Sequence, residues 1–446
     1  MRTKLIIVLY IALSGCLCEA QQAYSLAELK NAARHNNHAI ANAQRNVDVA
    51  GQRRAEVFTK YFPNISATGL TFNANKGMAS IGVNPAEVVP SSLMPILAAS
   101  LPADVLAMLG NPINISMMKN GTIAGVTAIQ PIYMGGQIRN GNQLAKVGED
   151  VSHLQLELVE NEVDKTTEQY YWQLISLQQK MLTVEAVEAL LADIHKDVNV
   201  AVQAGVAMRN DLLQVQLRQN EVESQKLKLL NGQSVVKMLL SQHCGLNDTA
   251  FAIVVPQFSV EPVVQVSHSA ALPGLAEYQL LNKQVEAATL NKKLTVGQSL
   301  PSVAVGAGYN YHNLLNNDRS FAMVFATVSV PISAWWGGSH AIKQRELERR
   351  NALESLTDNS ELLVIRMQLS WNEVNEAHQQ IAIANRSIEQ AQENLRLNRD
   401  YYNAGLSKMS DLLEAQLLYQ QALDSHTDAY TTYQMKLLEY RQSTGQ

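Results

Sequence analysis

One fifteen-residue segment occurs twice in this chain, and it constrains the fold more than any other feature. The first copy is "QAGVAMRNDLLQVQL" at residues 203–217, and the second is "NAGLSKMSDLLEAQL" at residues 403–417; seven of the fifteen positions are identical. In each copy a glycine suits the left-handed backbone that ends a helix. The Asp-x-x-Gln or Asp-x-x-Glu that follows is typical of a capping box opening the next helix. Each copy therefore predicts the tip of a helical hairpin, in a chain built by internal duplication.

The helices that lead to the two tips carry the spacing of a coiled coil. The first is predicted from about residue 137 to residue 203, and the second is predicted to follow Gly337 and Gly338. A separate first helix is predicted at residues 25–61. In the second half an unbroken alternation of four and three positions forms the seam: Leu363, Met367, Ser370, Val374, Ala377, Ile381, Ala384, Ile388, Ala391, Leu395, Asn398 and Tyr402. The first half repeats it with one 3-3 step, a stammer: Leu174, Leu177, Met181, Val184, Val187, Leu191, Ile194, Val198 and Ala201. At about 1.5 Å per residue such helices are on the order of 100 Å long. That length suits a span rather than a compact domain.

Four strands of about ten residues are predicted, two in each half. They are residues 62–72, 122–133, 302–311 and 321–332. A long loop, 73–120, separates the first two, and a short polar loop, 312–320, separates the others. Each strand is long enough to cross a bilayer when tilted. An ordinary half-exposed sheet would explain one such hairpin. The repetition of the hairpin at equivalent points of an exported chain favours transmembrane strands.

These strands cannot form a membrane barrel within one chain. About eight strands are the practical minimum for closure, and open edges are not tolerated in lipid. Several chains must therefore contribute, and three would give a twelve-stranded barrel. The predicted fold class is thus mainly α with a membrane β-barrel: duplicated long helical hairpins plus four transmembrane strands per chain.

The first residues are typical of an export signal. Arg2 and Lys4 precede an apolar run, residues 5–13, which is too short for a transmembrane helix. "LSGC" resembles a lipobox that would leave Cys16 lipidated, whereas the small residues before Gln21 suit ordinary cleavage. We expect cleavage after residue 20 without a lipid. The first helix would start roughly 55 Å from the membrane, and the chain from Cys16 to that start reaches only about 30 Å.

The duplication divides the chain into four segments. Residues 1–20 are the signal peptide, and residues 21–244 are a first repeat that contains a helix, two strands with the loop 73–120 and a long helical hairpin. Residues 245–274 connect the halves, and residues 275–446 form the second repeat. The formal net charge of −5 gives no reason to expect a nucleic acid as partner.

In these features the chain resembles the outer-membrane efflux protein family, the TolC-like trimeric exit ducts. The resemblance runs from "SLAELKNAARHNNHAI" to "MKLLEYRQSTG". It depends on the proline-entered strands, on "QPIYMGG" and "VPISAWWGG", and on both tips. It implies a homotrimer in the outer-membrane lipid of a Gram-negative bacterium, with a long periplasmic helical extension. Two departures are the 48-residue loop 73–120 and Ser407, which stands where a close family pattern has a basic residue.

The resemblance also implies the function. Such a protein is the passive exit duct of a tripartite efflux system, multidrug efflux included, or of a type I secretion system. It receives substrates from an inner-membrane pump through a periplasmic adaptor, also called a membrane fusion protein. Small residues at the tips would admit the helical ends of that adaptor: Gly205, Val206, Ala207, Gly405, Leu406 and Ser407.

A gate at the periplasmic entrance is the second site that the resemblance implies. Threefold symmetry would bring copies of Asp411 and Glu414 to one axis, with Asp211 and the constricting Tyr402 close by. Arg209 and Lys408 would bridge to neighbouring tips and hold the mouth shut. A purely structural alternative also exists, because Asp411 and Glu414 have the spacing of a capping box.

Two other classes of function are an enzyme and a periplasmic scaffold. The sequence has no phosphate loop, nucleophile elbow or usual metal spacing, so we expect no enzyme, cofactor or metal. His35 and His38 in "HNNH" are three positions apart in a predicted helix, and an exposed polar face explains them better than chelation does. Met78, Met94, Met108, Met117 and Met118 are better explained by loop packing than by a soft metal. The remaining alternative is a periplasmic coiled-coil scaffold or adaptor without a pore.

Overall fold

A computed structural model describes residues 23–109, 111, 113–258, 263–314 and 317–446. The predicted signal peptide and the lipobox cysteine lie outside these residues. The chain forms two units. We call one the helical unit; it comprises residues 1–51, 147–286 and 350–446. We call the other the strand unit; it comprises residues 52–146 and 287–349.

The described residues contain these α-helices: α1 Leu26–Asn36, α2 His38–Phe58, α3 Pro85–Val88, α4 Met94–Ser100, α5 Ala103–Leu109, α6 Gln137–Gln203, α7 Arg209–Cys244, α8 His268–Ala271, α9 Ala276–Gln298, α10 Ala334–Asn403 and α11 Met409–Thr444. They contain these strands: β1 Ala23–Tyr24, β2 Asn64–Asn73, β3 Ala79–Val83, β4 Ile113–Met117, β5 Asn120–Met134, β6 Ala252–Ile253, β7 Ser302–Leu314 and β8 Asn317–Ser329. In the described part of the chain, no helix is both long enough and apolar enough for a membrane span.

The strand unit contains a four-stranded antiparallel sheet in the order β2-β5-β7-β8. All four predicted strands are therefore confirmed. The polar loop predicted at 312–320 is wrong over most of its length, because β7 continues to Leu314 and β8 begins at Asn317. The polar side chains there pair across the two strands, since Tyr311 Oη and Asn313 Nδ2 both donate to Asp318 Oδ1. Pro131 has no backbone N–H to donate, and the register of β5 against β7 shifts between Pro131 and Tyr133.

The segment 73–120, predicted as a loop, has secondary structure of its own. Strands β3 and β4 pair antiparallel from Ala79↔Met117 to Val83↔Ile113, and three short helices, α3 to α5, lie between them. The prediction was wrong because each strand of the hairpin has only five residues. Strands this short cannot be distinguished from a loop among prolines and short apolar runs. The segment remains long beside the two residues that separate β7 from β8.

The core of the helical unit joins both repeats. Aromatic side chains dominate one part of it: Tyr171, Trp172 and Tyr433 are 3%, 5% and 2% exposed. The connecting segment packs there, since Tyr171 Oη donates to the carbonyl of Val254 (2.7 Å) and Phe258 stacks on Tyr430 at 4.1 Å between ring centres. Burial raises the pKa of Cys244 to about 12, so this thiol is held in its neutral, unreactive form.

Coiled-coil seams explain the long helices. The second seam is buried from Leu363 to Ala384 and half-buried from Ile388 to Tyr402, which confirms the 4-3 pattern.

Two helix boundaries were predicted wrongly. The first predicted helix is interrupted at Asn37, whose amide donates to the carbonyl of His243 (3.0 Å), so His35 and His38 lie on separate helices. Gly337 and Gly338 were expected to precede the long helix, but α10 begins at Ala334.

Candidate functional site at the hairpin tips

Both tips end their first helix with the same backbone. Gly205 and Gly405 have φ of +77° and +71°, a conformation that glycine adopts without steric cost. The next residue donates its N–H back to a carbonyl of the helix, Val206 to Ala201 at 2.9 Å and Leu406 to Tyr401 at 2.8 Å. This 6→1 bond is that of a Schellman motif. The helix-ending role predicted for the two glycines is confirmed.

The caps that open the second helices differ from the prediction. Asp211 and Asp411 were predicted as N-caps, but the N-caps are Met208 and Lys408. The aspartates stand three residues later and accept from the cap N–H groups, at 3.1 Å from Met208 and 3.2 Å from Lys408. A lysine side chain has no acceptor, so only the carboxylate half of a capping box exists at Lys408. Glu414 takes no part in this cap, which removes the structural explanation for its spacing.

A cavity of about 830 Å³ lies between the two tips. It brings together seven of the predicted site residues: Asp211, Tyr402, Val206, Ala207, Gly405, Ser407 and Lys408. It is not lined by the other predicted site residues: Asp411, Glu414, Arg209, Gly205 and Leu406. The tyrosine and Asp211 therefore belong to one space within a protomer, whereas Asp411 and Glu414 are exposed outside it.

Tyr402 and Asp211 affect each other electrostatically. Burial raises the pKa of the Tyr402 phenol above its ordinary value, and the negative charge of Asp211 raises it further. A neutral phenol beside a half-buried carboxylate can donate a hydrogen bond or constrict a passage. Within the described part of the chain, Arg209 and Lys408 form no ion pair.

Two features of the tips were not predicted from the sequence. Met208 is 74% exposed, like Val206 at 79% and Leu406 at 76%, so each tip presents bare apolar surface to solvent. The available sequence signal was the apolar character of Val206, Met208 and Leu406 within predicted turns, where polar residues are usual. In addition, Ser407 Oγ and Gln214 Oε1 are buried without a hydrogen-bond partner, and both residues line the cavity.

Behind the tips the two hairpins share one core. Val198 and Val215 of the first hairpin and Met409 of the second lie in the same buried cluster. Arg218 reaches across to α11, where Nε donates to Gln416 Oε1 (3.2 Å) and Nη2 to Gln420 Oε1 (2.9 Å). Those glutamines are 0% and 2% exposed. A buried polar bridge therefore holds the two repeats in register.

Comparison with known proteins agrees with this geometry. Residues 279–446 match the family model for the outer membrane efflux protein. The matched segment runs from α9 to the end of the chain. The outer-membrane location predicted from the sequence is that of this family, whose members are channels rather than enzymes. No curated protein sequence matches the chain at a significant level.

Solved structures share the fold over nearly the whole chain. The outer membrane protein VceC from Vibrio cholerae matches with a TM-score of 0.73 and 13% identity, over 94% of this chain and 96% of that one. The CmeC outer membrane channel of Campylobacter jejuni matches with a TM-score of 0.74 and 13% identity, over 94% and 85%. The MtrE outer membrane channel of Neisseria gonorrhoeae gives 0.72 and 13%, over 94% and 88%. The matched segment thus lies within a fold of long helices and a small strand part, as predicted.

Proposed function

We propose that this protein is the outer-membrane exit duct of a tripartite efflux or type I secretion system. Three copies form the duct, which passes substrates passively from an inner-membrane pump and a periplasmic adaptor to the exterior. The sheet of the strand unit crosses the membrane, and the long helical hairpins extend into the periplasm. The observation that carries this proposal is a sheet with one apolar face and two open edges.

The apolar face follows from the register of the strands. Ile65, Ala128, Ala307 and Val324 form one cross-strand row, and Ala67, Val126, Tyr309 and Ala322 form the next. The row between them and the next row along β2 point to the other face. They contain the polar Ser66, Thr127, Thr68 and Asn310, with Met323 and Phe321 at their β8 ends. On the apolar face Val324 is 86% exposed and Ile65 69% exposed. Contiguous exposed apolar surface of this kind suits lipid.

The open edges supply the argument for several copies. Within the described residues, β2 and β8 each pair on one side only. Because unpaired backbone groups are costly in lipid, both edges need partners. The strands alternate in direction, so β8 of one copy is antiparallel to β2 of the next. Three copies then close a barrel of about twelve strands, within the range of known outer-membrane barrels.

Exposed stripes on the helical unit support the same assembly. Helix α7 exposes Leu213, Leu217 and Leu227 at 52–63%, and α10 exposes Leu362, Ile365 and Leu369 at 53–61%. Large apolar surfaces on a soluble part of a protein usually mark an interface. Contacts between copies along these two stripes would cover them.

The deciding experiment is single-channel conductance of the purified full-length protein, with its oligomer size measured in the same detergent. We expect steady ion conductance from a three-copy complex. A soluble periplasmic protein without conductance would instead support the coiled-coil scaffold, and would overturn the duct.

We propose that Tyr402, Asp211, Asp411 and Glu414 form the gate at the periplasmic entrance. Asp411 and Glu414 are exposed, so copies of them can face one another across the threefold axis. Like charges that converge repel, which favours cations and binds multivalent ions. Arg209 and Lys408 bridge between copies; since a surface bridge is worth only about 0–1 kcal/mol, several act together.

Glu414→Gln tests the gate without touching the cap, because Glu414 takes no part in it. We expect lower cation selectivity and weaker block by trivalent cations in planar bilayers, with the complex intact. Asp411→Asn should do the same while keeping an acceptor oxygen near Lys408. Unchanged selectivity in both variants would leave Asp411 with only its capping role.

The adaptor is proposed to dock on the tips, at Gly205, Val206, Ala207, Gly405, Leu406 and Ser407. The support is their bare apolar surface and their small side chains. Gly405→Trp should abolish export while the complex remains in the membrane. Gly405→Asn is the matched control, because asparagine tolerates the left-handed backbone and adds little bulk. Normal export by the tryptophan variant would place docking elsewhere.

A further inference from the structure

A second cavity, of about 440 Å³, lies within the strand unit and has a strongly basic lining. The side chains and backbone that matter are Lys292, Lys293, Arg349, Asn140, Thr289 and Gly135. They come from three helices and the end of a strand. The family match and the gate do not account for this cluster.

The charge of the cavity is positive after its internal ion pairs are counted. Glu346 is shared by Arg349 at 2.8 Å and Lys292 at 3.0 Å. These two cations, Arg349 foremost, hold the pKa of Glu346 well below its usual range, so one negative charge stands against three positive ones. Lys293 is exposed and forms no ion pair among the described residues. Its ammonium is available to a ligand.

The donors suit a group with several oxygens. Two ammonium groups, a guanidinium and the Asn140 amide can all donate, and arginine and lysine are the usual partners of phosphate. Gly135 precedes α6 and Asn140 lies at its first turn, where the first backbone N–H groups lack helical partners and the helix dipole favours an anion. We propose that this cavity binds a phosphate group.

The position of the cavity indicates where such a group comes from. Gly135 follows directly after β5. It lies at the end of the sheet where Met134 pairs with Ser302 and Ser302 pairs with Ser329. Exposed aromatic side chains surround the same strand ends: Phe58, Tyr61, Phe62, Tyr133, Trp335 and Trp336. Aromatic girdles lie at the level of lipid headgroups in membrane barrels. The phosphate source favoured by this geometry is therefore an anionic phospholipid of the periplasmic leaflet, a step that rests on the proposed membrane function.

The test uses the full-length complex in detergent, titrated with phosphatidylglycerol, phosphatidylcholine or inorganic phosphate, with bound ligand counted by native mass spectrometry. We expect phosphatidylglycerol to bind more tightly than phosphatidylcholine. Lys292→Gln combined with Lys293→Gln should weaken this binding roughly tenfold or more, because charge-assisted hydrogen bonds are lost. Lys293→Gln alone should weaken it less and leaves the Glu346 ion pairs in place.

Lys60→Gln is the matched control. It removes one exposed positive charge beside the aromatic girdle without touching the cavity. An equal loss in this control, or no loss in the double variant, would overturn the site. Binding of inorganic phosphate that the double variant abolishes, with no lipid preference, would support the phosphate site and overturn its lipid source. Conductance measured on the same variants separates these outcomes from a failure of the channel itself, since the cavity variants should conduct normally.

Discussion

The two hairpin tips are copies of one segment, yet they have diverged in what surrounds them. Their backbones agree: each has a left-handed glycine, and each has an aspartate that accepts from the N-cap. Helices α7 and α11 are both 36 residues long and start 200 positions apart. The side chains differ, because Asp211 is half-buried and acts on Tyr402 whereas Asp411 is exposed. Duplication has kept the geometry of the tip and left its chemistry free to change.

The largest effect should come from exchanging residues at equivalent positions behind the tips. Arg218 corresponds to Leu418, so Arg218→Leu installs the residue of the second copy. It leaves Gln416 and Gln420 buried without their donor, which should cost about 2–4 kcal/mol in the free energy of unfolding. Hydrogen exchange along α11 would measure it. The reverse exchange, Leu418→Arg at a 44% exposed site, should cost less than about 0.5 kcal/mol. Equal costs would show that the buried bridge is unimportant.

The second-largest loss of stability should come from replacing either tip glycine by valine. Gly205→Val and Gly405→Val should each destabilise the end of the preceding helix by roughly 1–2 kcal/mol, since a left-handed backbone is strained for side chains other than glycine. Equal losses are expected because the two backbones agree. Asparagine at the same positions should cost clearly less. Hydrogen exchange in the last turns of α6 and α10 would reveal any inequality, which would argue against identical tips.

A smaller, pH-dependent effect on stability distinguishes α11 from α7. Burial raises the pKa of Asp424 from 3.8 to about 6, while nearby Lys180 opposes the shift and Asp428 adds to it. The folded state therefore keeps a proton that the unfolded state loses, so stability should fall as pH rises from about 4 to about 6. Asp424→Ser, the first-copy residue at 224, should abolish this slope. Because the carboxyl is only half buried, we expect less than about 1 kcal/mol. A slope unchanged in the variant would assign it to other groups.

The smallest effect is spectroscopic and tests the divergence directly. Asp211→Asn should lower the pKa of Tyr402, because it removes the charge that helps to raise it. Asp411→Asn should leave that pKa unchanged. Ultraviolet difference titration of the phenol would follow both variants, and Tyr402→Phe would identify its signal. Equal shifts in the two aspartate variants would mean that both tips act on the tyrosine.

Periodic and repeated features were predictable from the sequence. The bounds of α6, Gln137–Gln203, coincide with the prediction because a long seam and two glycine signals define them. The strands followed from alternation. Short elements in 73–120 and the break at Asn37 were missed, since the break depends on the carbonyl of His243, which is distant in sequence.

The candidate site was only partly predictable for the same kind of reason. The tip residues were found by the repeat, and their left-handed glycines by residue type. The assignment of Asp211 and Asp411 to N-caps failed because Met208 and Lys408 are poor N-cap residues, and only the backbone geometry shows that they hold that position. The basic cavity was not predicted, because its residues come from α6, α9 and α10, which no local sequence motif connects.

The open edges of the four-stranded sheet also have a genetic consequence. In the proposed barrel of three copies, every copy must supply one edge to a neighbour on either side. A subunit with normal helices but a damaged β8 would still be recruited and would leave a gap in the wall. In a cell that makes equal amounts of normal and damaged subunits, only about one barrel in eight would be free of damage. Such alleles should therefore behave as dominant negatives, whereas alleles that prevent recruitment should be recessive.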